Sequence, residues 1–304
     1  MSARLDTVSF DTVSFDTVSF LSDYGADDEF VGVVRSVIRG IAPQATVVDL
    51  THGIPVHDIR AGSLALARAV QYLVPGVVLA VVDPGVGTER RAVAVEAVES
   101  ASIFVGPDNG LLASAVAMAG GASRAVALTD DAFHLPTPGA TFAGRDVFAP
   151  VAAHLCNGVS LDDLGDPVDP ASLLPGILPL VRMEKGCLVA EVLWVDRYGN
   201  VQLNVGPDEI EALGDPVVLT FGGTTRTATR AAAYGRIGAG AIGLVVDAYG
   251  LVSIAADRHS AAAELGLGTG DSVTLGDADT ADTAAATTVT LGPTRATTGI
   301  SDAR

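Results

Sequence analysis

The apolar run Val77–Val82 ends in a carboxylate, Asp83, and a turn rich in Pro and Gly then leads to Arg90 and Arg91. A short, uninterrupted apolar run bounded by turn residues is typical of a strand buried on both faces of a sheet. In an open α/β sheet, ligands bind beyond the carboxyl ends of the strands. Asp83 is therefore a candidate for chemistry, with a guanidinium close enough to keep it ionised. The alternative is that Asp83 only caps the turn that follows it.

The stretch Phe20–Gly25 repeats this arrangement, because an apolar segment there runs into Asp23. Between Thr17 and Asn157, segments with strand patterns alternate with segments whose apolar residues have helical spacing. Such alternation predicts an α/β fold with a mostly parallel sheet and flanking helices. We expect Asp27 or Asp28 to cap the first helix.

Later in the chain the pattern changes to short β-like segments separated by turn residues, which predicts a small antiparallel barrel or sandwich. The pentapeptide Asp-Thr-Val-Ser-Phe occurs three times at the N-terminus, and only the third copy leads into the Asp23 motif. The predicted organisation is a disordered repeat extension at 1–16, an α/β domain at 17–166, a linker at 167–184, a β-barrel domain at 185–276, and a disordered tail at 277–304 with a final strand at Thr288–Leu291.

Composition excludes several classes of protein. Of the 304 residues, 49% are hydrophobic, which suits a chain with a sizeable core. The formal charge of -18 argues against a nucleic-acid partner, since phosphate backbones are bound by clustered Lys and Arg. Cys156 and Cys187 have no metal-ligand spacing, and no apolar run is long enough for a membrane span. We therefore expect a cytoplasmic protein without a metal and without a membrane partner.

Two other enzyme classes fit the glycine-rich loop poorly. A phosphate-binding loop of an NTPase would end in Gly-Lys-Ser/Thr, which is absent here, and Asp83 would repel a phosphate. A dinucleotide oxidoreductase would carry Gly-x-Gly-x-x-Gly after the first strand, where this chain has Ser22-Asp23-Tyr24-Gly25.

Five motifs in a fixed order carry a resemblance to a known family. They are Phe20-Leu21-Ser22-Asp23-Tyr24-Gly25, Asp83-Pro84-Gly85-Val86-Gly87-Thr88, Gly106-Pro107-Asp108-Asn109-Gly110-Leu111, Thr141-Phe142-Ala143-Gly144-Arg145-Asp146 and Asp196-Arg197-Tyr198-Gly199-Asn200. Because it contains these motifs in this order, the chain resembles the S-adenosylmethionine (SAM) hydroxide adenosyltransferases, or SAM hydrolases, which are related to fluorinase and chlorinase.

The resemblance implies an N-terminal α/β domain, a C-terminal β-barrel, and a homotrimer whose sites lie between one subunit and its neighbour. It also implies hydrolysis of SAM to adenosine and L-methionine by in-line attack of water or hydroxide on the ribose C5′, with no cofactor. A sulfonium leaves as a neutral thioether, so the reaction needs an oriented nucleophile rather than a general acid.

Residue by residue, the resemblance places Asp83 and Arg90 in the water-activating group. The expected substrate-binding residues, spread over both domains, are Asp23 at the ribose hydroxyls, His57 beside the ribose, Asn109 in the third motif, Asp196 and Asn200 at the methionine end, and Tyr234 against adenine.

Two positions decide between related activities. Halogenating relatives have Tyr where this chain has Asp83, so the carboxylate favours water over halide. Hydrolase-type relatives have a His where this chain has Ala143, which can neither donate, accept nor titrate. We therefore expect that the chain hydrolyses SAM at a rate lowered by Ala143. The alternatives are a non-catalytic protein that binds SAM or adenosine and a SAM-dependent halogenase.

Overall fold

The structure, a computed structural model, describes residues 14–277, and the chain divides after Leu178 into two compact units. The first repeat copy, Asp6–Phe10, lies outside the described residues, as do most of the second copy and the predicted final strand Thr288–Leu291. The third copy forms most of the first strand, as expected from its position before Asp23.

The N-terminal unit contains one seven-stranded sheet. Its strands are β1 (Thr17–Ser22), β2 (Thr46–Thr51), β3 (Val77–Val81), β4 (Ala92–Ala97), β5 (Ile103–Pro107), β6 (Ala122–Ala127) and β7 (Asp166–Val168). The order is β2-β1-β3-β5-β4-β6-β7, and the four strands β2, β1, β3 and β5 are parallel, while β4, β6 and β7 add antiparallel pairs. The predicted α/β fold with a mostly parallel sheet is confirmed.

Helices cover both faces of this sheet. They are α1 (Phe30–Ile41), α2 (Ile59–Val70), α3 (Ala113–Met118) and α4 (Ala149–Cys156), the last preceded by a π-helical turn at Gly144–Phe148. Alternate residues of β3 point into two separate cores, one shared with α1 and α4 and the other with α2 and α3. Burial on both faces is why the β3 segment is apolar without interruption.

The helix starts differ in how they are capped. Asp58 caps α2 by accepting a hydrogen bond from the Ala61 amide at 2.8 Å. The prediction for α1 was wrong, because the N-cap is Glu29 rather than Asp27 or Asp28, and its side chain forms no cap hydrogen bond.

The C-terminal unit is a closed seven-stranded barrel with one further strand. Its elements are β8 (Arg182–Glu184), β9 (Cys187–Val195), β10 (Val201–Leu203), α5 (Pro207–Ile210), β11 (Val217–Phe221), β12 (Thr224–Arg230), β13 (Ile242–Val246), β14 (Val252–Ala256), α6 (Ala261–Leu265) and β15 (Ser272–Gly276). Pairing of β9 with both β15 and β10 closes the ring, and among the strands described up to residue 277 only the β12–β13 pair is parallel. The predicted β-barrel is confirmed.

The boundary between the units falls inside the segment 167–184 that the sequence predicts as a linker. That segment begins in β7, which pairs with β6, and ends in β8, which pairs with β9. Among residues 14–277, no helix has the length and apolar character needed to cross a membrane.

Candidate active site

Two carboxylates lie side by side at the carboxyl end of the N-terminal sheet. Ser22 of β1 is paired with Val81 of β3, and the amide of Asp23 donates to the Val81 carbonyl at 3.4 Å. Asp83 follows Val81 by two residues, so the two acids leave neighbouring parallel strands at the same edge. The register of these strands therefore brings together the Phe20–Gly25 motif and the loop that begins at Asp83.

Asp83 and Arg90 form a two-pronged ion pair. Arg90 Nε donates to Asp83 Oδ1 at 3.0 Å, and Arg90 Nη2 donates to Asp83 Oδ2. Only 5% of the Asp83 side chain and 12% of the Arg90 side chain are exposed. A bidentate contact fixes the plane of the carboxylate as well as its charge. Arg90, which the resemblance groups with Asp83, is therefore its ion-pair partner.

The loop between these residues is tightly folded. The Val86 amide donates to the Asp83 carbonyl at 3.2 Å, and Thr88 Oγ1 donates to the Gly85 carbonyl at 2.7 Å. Gly87 has φ +76°, and a Cβ there would lie 2.9 Å from the Ala140 carbonyl oxygen, so only glycine fits. The Arg90 guanidinium also lies over the Phe148 ring, 5.4 Å from its centroid. These contacts hold Arg90 in its position toward Asp83.

Competing effects set the ionisation of Asp83. Burial raises the pKa of this carboxyl above its ordinary value, and the nearby Asp23 carboxylate raises it further. The charge and hydrogen bonds of Arg90, together with the Gly85 amide, act in the opposite direction, but the net shift is upward. An upward shift increases the proton affinity of the carboxylate, which suits a group that accepts a proton from water.

Arg91 has a separate partner. Its Nε and Nη2 donate to Asp108 Oδ2 at 2.9 and 2.6 Å, and Nη2 also donates to the Ser172 carbonyl at 2.7 Å. Asp108 in turn accepts from the Leu174 amide at 2.8 Å. Arg91 therefore attaches the 172–174 segment to the end of β5.

Asp23 contacts His57 through the backbone. The His57 amide donates to Asp23 Oδ2 at 2.9 Å, and His57 lies in the left-handed region with φ +66°. Among residues 14–277, no group donates a hydrogen bond to the other carboxylate oxygen of Asp23. The predicted role of the His57 side chain beside the ribose stays a prediction.

Asn109 joins the ends of two strands. Its Nδ2 donates to the Val82 carbonyl at 2.9 Å, and its Oδ1 accepts from the Leu111 amide at 3.1 Å. These bonds use both ends of the amide group to support the residue before Asp83. Its substrate-binding role stays a prediction.

Ala143 precedes the π-helical turn Gly144–Phe148 and packs against the core shared with α1 and α4. A Cβ on Gly144 would overlap the hydroxyl oxygen of Tyr24, so the Tyr24 phenol lies directly against the backbone of this loop. The structure thus brings the loop of Ala143 to the motif of Asp23.

In the C-terminal unit, Asp196 organises the turn between β9 and β10. Its Oδ1 accepts from the amides of Tyr198 and Asn200 at 2.8 and 2.9 Å, and its Oδ2 accepts from Asn200 Nδ2 at 2.8 Å. Gly199 has φ +81° and lies against Ser260, with no room for a side chain. The predicted pair Asp196 and Asn200 is therefore in direct contact.

Tyr234 completes this group. Asp196, Asn200 and Tyr234 line both a cavity of about 750 Å³ and a smaller one of about 210 Å³. Burial and the carboxylates of Asp247 and Asp196 raise the pKa of Tyr234, so its phenol stays neutral. The three predicted residues of this unit thus come together at one concave surface.

Sequence reasoning missed several lining residues. Tyr198 is 78% exposed and lines the larger cavity with Tyr234, and Asp247 and Tyr249 line the smaller one. Tyr198 lies inside the Asp196–Asn200 motif, so its position near Asp196 could have been predicted from the sequence. Tyr24, next to Asp23 in sequence, was missed in the same way. Asp247 was missed because the fold of the barrel brings it to this surface, whereas Ala248-Tyr249 differs from the pattern that the family resemblance implies there.

Both units of the chain are similar in sequence to known proteins. Residues 18–165 match the N-terminal domain of the SAM hydroxide adenosyltransferases, and residues 190–274 match their C-terminal domain. The (R)-S-adenosyl-L-methionine hydrolase of Salinispora tropica is 43% identical over 250 residues, covering 82% of this chain and 94% of that protein. The hydrolase of that name from Thermus thermophilus is 40% identical, covering 84% and 97%. A fluorinase from an Actinoplanes species is 24% identical, covering 64% and 73%.

A solved structure of an uncharacterized conserved protein from Thermotoga maritima superposes with a TM-score of 0.78 at 32% identity, covering 85% of this chain and 99% of that one. Matches to both domain profiles and to relatives at 40% identity or more confirm the resemblance that the five motifs carry. The chain belongs to the SAM hydroxide adenosyltransferase family.

Proposed function

We propose that this protein hydrolyses SAM to adenosine and L-methionine. The oxygen of water attacks the ribose C5′, the C5′–S bond breaks, and its electron pair stays on sulfur, which becomes a neutral thioether. One proton of the water is released by way of Asp83. The names of the relatives at 40–43% identity support this reaction.

The observation that carries the proposal is the buried ion pair of Asp83 and Arg90 at the sheet edge. Asp83 acts as the proton acceptor, and Arg90 holds the carboxylate in one orientation. In-line displacement depends on a nucleophile held at near-attack distance, and a fixed carboxylate can supply that orientation.

The same carboxylate argues against a halogenase. A halide ion near Asp83 would meet a like charge at close range, whereas water gains a hydrogen-bond acceptor. The fluorinases among the relatives are also more distant, at 24–26% identity.

The substrate roles follow the chemistry of each group. Asp23 accepts hydrogen bonds from the ribose hydroxyls, with His57 beside the ring. Asp196 pairs with the methionine ammonium through a remaining lone pair, and Asn200 donates its second N–H to the carboxylate. Tyr234 packs on adenine by a ring-to-ring contact. Asn109 acts by supporting the strand end that carries Asp83.

The cofactor, the assembly and the location complete the proposal. SAM is the substrate, and no cofactor takes part, so activity should survive treatment with EDTA.

A homotrimer with sites at the subunit interfaces is supported by the family resemblance. Co-expression of Asp83→Asn and Asp196→Ala chains should then recover part of the activity. Some subunit interfaces would combine the unaltered Asp83 of one chain with the unaltered Asp196 of the other. Cytoplasmic location is the remaining proposal, and cell fractionation tests it.

The decisive experiment is incubation of the protein with SAM, followed by chromatography of adenosine and methionine in equal amounts. Calorimetric binding of SAM without product would instead identify a non-catalytic binder. Halo-adenosine formed in the presence of chloride or fluoride would identify a halogenase. Adenosine formed in proportion to active protein and lost in Asp83→Asn supports the hydrolase.

A further inference from the structure

Tyr24 lies two residues beyond the end of β1, as Asp83 lies two residues beyond the end of β3. Each residue lies two positions beyond the paired residues Ser22 and Val81 of these neighbouring parallel strands. The register therefore brings Tyr24 and Asp83 to the same edge of the sheet, and Asp23 directly precedes Tyr24 in the sequence.

The Tyr24 ring is held by three other aromatic rings. Its centroid lies 6.4 Å from that of Phe20, 5.8 Å from that of Phe30 and 5.7 Å from that of Phe142, all in edge-to-face contacts. The hydroxyl lies against Gly144, next to Ala143, where any Cβ would overlap it. A packed ring with a fixed hydroxyl is a preorganised hydrogen-bonding group.

The hydroxyl is available for a ligand. Its oxygen forms no hydrogen bond with any of residues 14–277. Burial and the carboxylates of Asp23 and Asp83 raise the pKa of Tyr24, so the phenol keeps its proton. It can therefore both donate and accept a hydrogen bond beside an ionised Asp83.

We propose that the Tyr24 hydroxyl hydrogen-bonds the attacking water together with Asp83, and so supplies the polar contact that Ala143 cannot. This inference rests on the proposed SAM hydrolysis. The Tyr24 hydroxyl either donates a hydrogen bond to one lone pair of the water or accepts one from a water proton. In both cases the water keeps one lone pair for the attack and one proton directed to Asp83. Tyr24 is then a catalytic residue of this chain.

The test is Tyr24→Phe, which keeps the ring and its three aromatic contacts while removing only the hydroxyl. The matched control is Tyr72→Phe, at an exposed tyrosine in the same unit. We expect kcat to fall about tenfold, the loss of one hydrogen bond to the reacting group, with KM nearly unchanged. The control should match the unaltered protein.

A second measurement separates catalysis from structure. In an Ala143→His background, a new polar group shares the role, so Tyr24→Phe should reduce kcat less than about threefold. A structural role would give the same fold-change in both backgrounds, and that result would overturn the inference. An unchanged kcat for Tyr24→Phe in an active protein would also overturn it. Absence of SAM hydrolysis by the unaltered protein would remove the proposed function and this inference together.

Discussion

The Ser22 hydroxyl lies 2.8 Å from His52 Nδ1 and so joins the carboxyl ends of β1 and β2. Ser22 is fully buried, and its oxygen also accepts from the Tyr24 amide at 3.3 Å. The His52 carbonyl accepts from the Gly25 amide at 2.8 Å. These bonds define the path of the loop that carries Asp23 and Tyr24.

Ser22→Ala should therefore loosen this loop and lower stability. The substitution leaves the partner nitrogen of His52 without its hydrogen bond, at a cost of about 1–3 kcal/mol in the free energy of unfolding. We also expect a higher KM for SAM, because Asp23 loses its fixed position. Urea unfolding and steady-state kinetics measure both, with Ser36→Ala at an exposed helix position as control. Equal stability of the two variants would contradict the prediction.

Asp83→Asn should lower kcat by about a hundredfold or more, the usual contribution of a positioned proton acceptor. The amide keeps the shape of the side chain but cannot accept the proton. Adenosine release measured by chromatography gives kcat, and Asp131→Asn, at a fully exposed carboxylate, is the control. A loss of less than about threefold would exclude Asp83 as the acceptor.

Arg90→Met should move the acidic limb of the pH–activity profile to higher pH. Arg90 lowers the pKa of Asp83 against the larger effect of burial, so its removal raises that pKa further. The reaction needs the ionised carboxylate, and activity would then develop only at a higher pH than in the unaltered protein. The profile of kcat/KM against pH shows the shift, and Arg124→Met at a more exposed ion pair serves as control. A limb that moved to lower pH would contradict the assignment.

Ala143→His should raise turnover by about tenfold or more. The resemblance implies a histidine there, and an imidazole adds a donor, an acceptor and a titrating group. Adenosine and methionine are quantified for both proteins at saturating SAM. Equal rates would show that Ala143 does not limit this enzyme.

Gly199→Ala should destabilise the barrel unit more than Gly186→Ala. Both glycines have φ near +80°, at +81° and +82°, so both substitutions carry the same backbone strain of about 1–2 kcal/mol. A Cβ on Gly199 would overlap Ser260, whereas nothing lies within 4 Å of a Cβ on Gly186. The clash should add about 1–3 kcal/mol to the loss at Gly199, measured by urea unfolding. Equal losses would show that Ser260 moves aside freely.

The sequence alone determined the fold class and proposed residues for the candidate site. The continuous apolar run of β3 and the helical spacing of α1 could be read directly, because burial and periodicity leave a local pattern. The motif order pointed to Asp83 and Asp196, and the resemblance that the motifs carry added Arg90. The strand β12 was missed, because its alternation of Thr with Arg and Ala leaves Ala228 as its only fully buried residue.

Only the tertiary structure decided which of these groups meet. Strand register brings Tyr24 and Asp83 to one edge of the sheet, and the close approach of Gly144 places the Tyr24 hydroxyl at the loop of Ala143. Barrel closure likewise joins Tyr234 to Asp196 and Asn200 from a distant part of the chain. Local patterns record whether a side chain is buried, whereas contacts between distant residues depend on how strands pair, and no single segment contains that information.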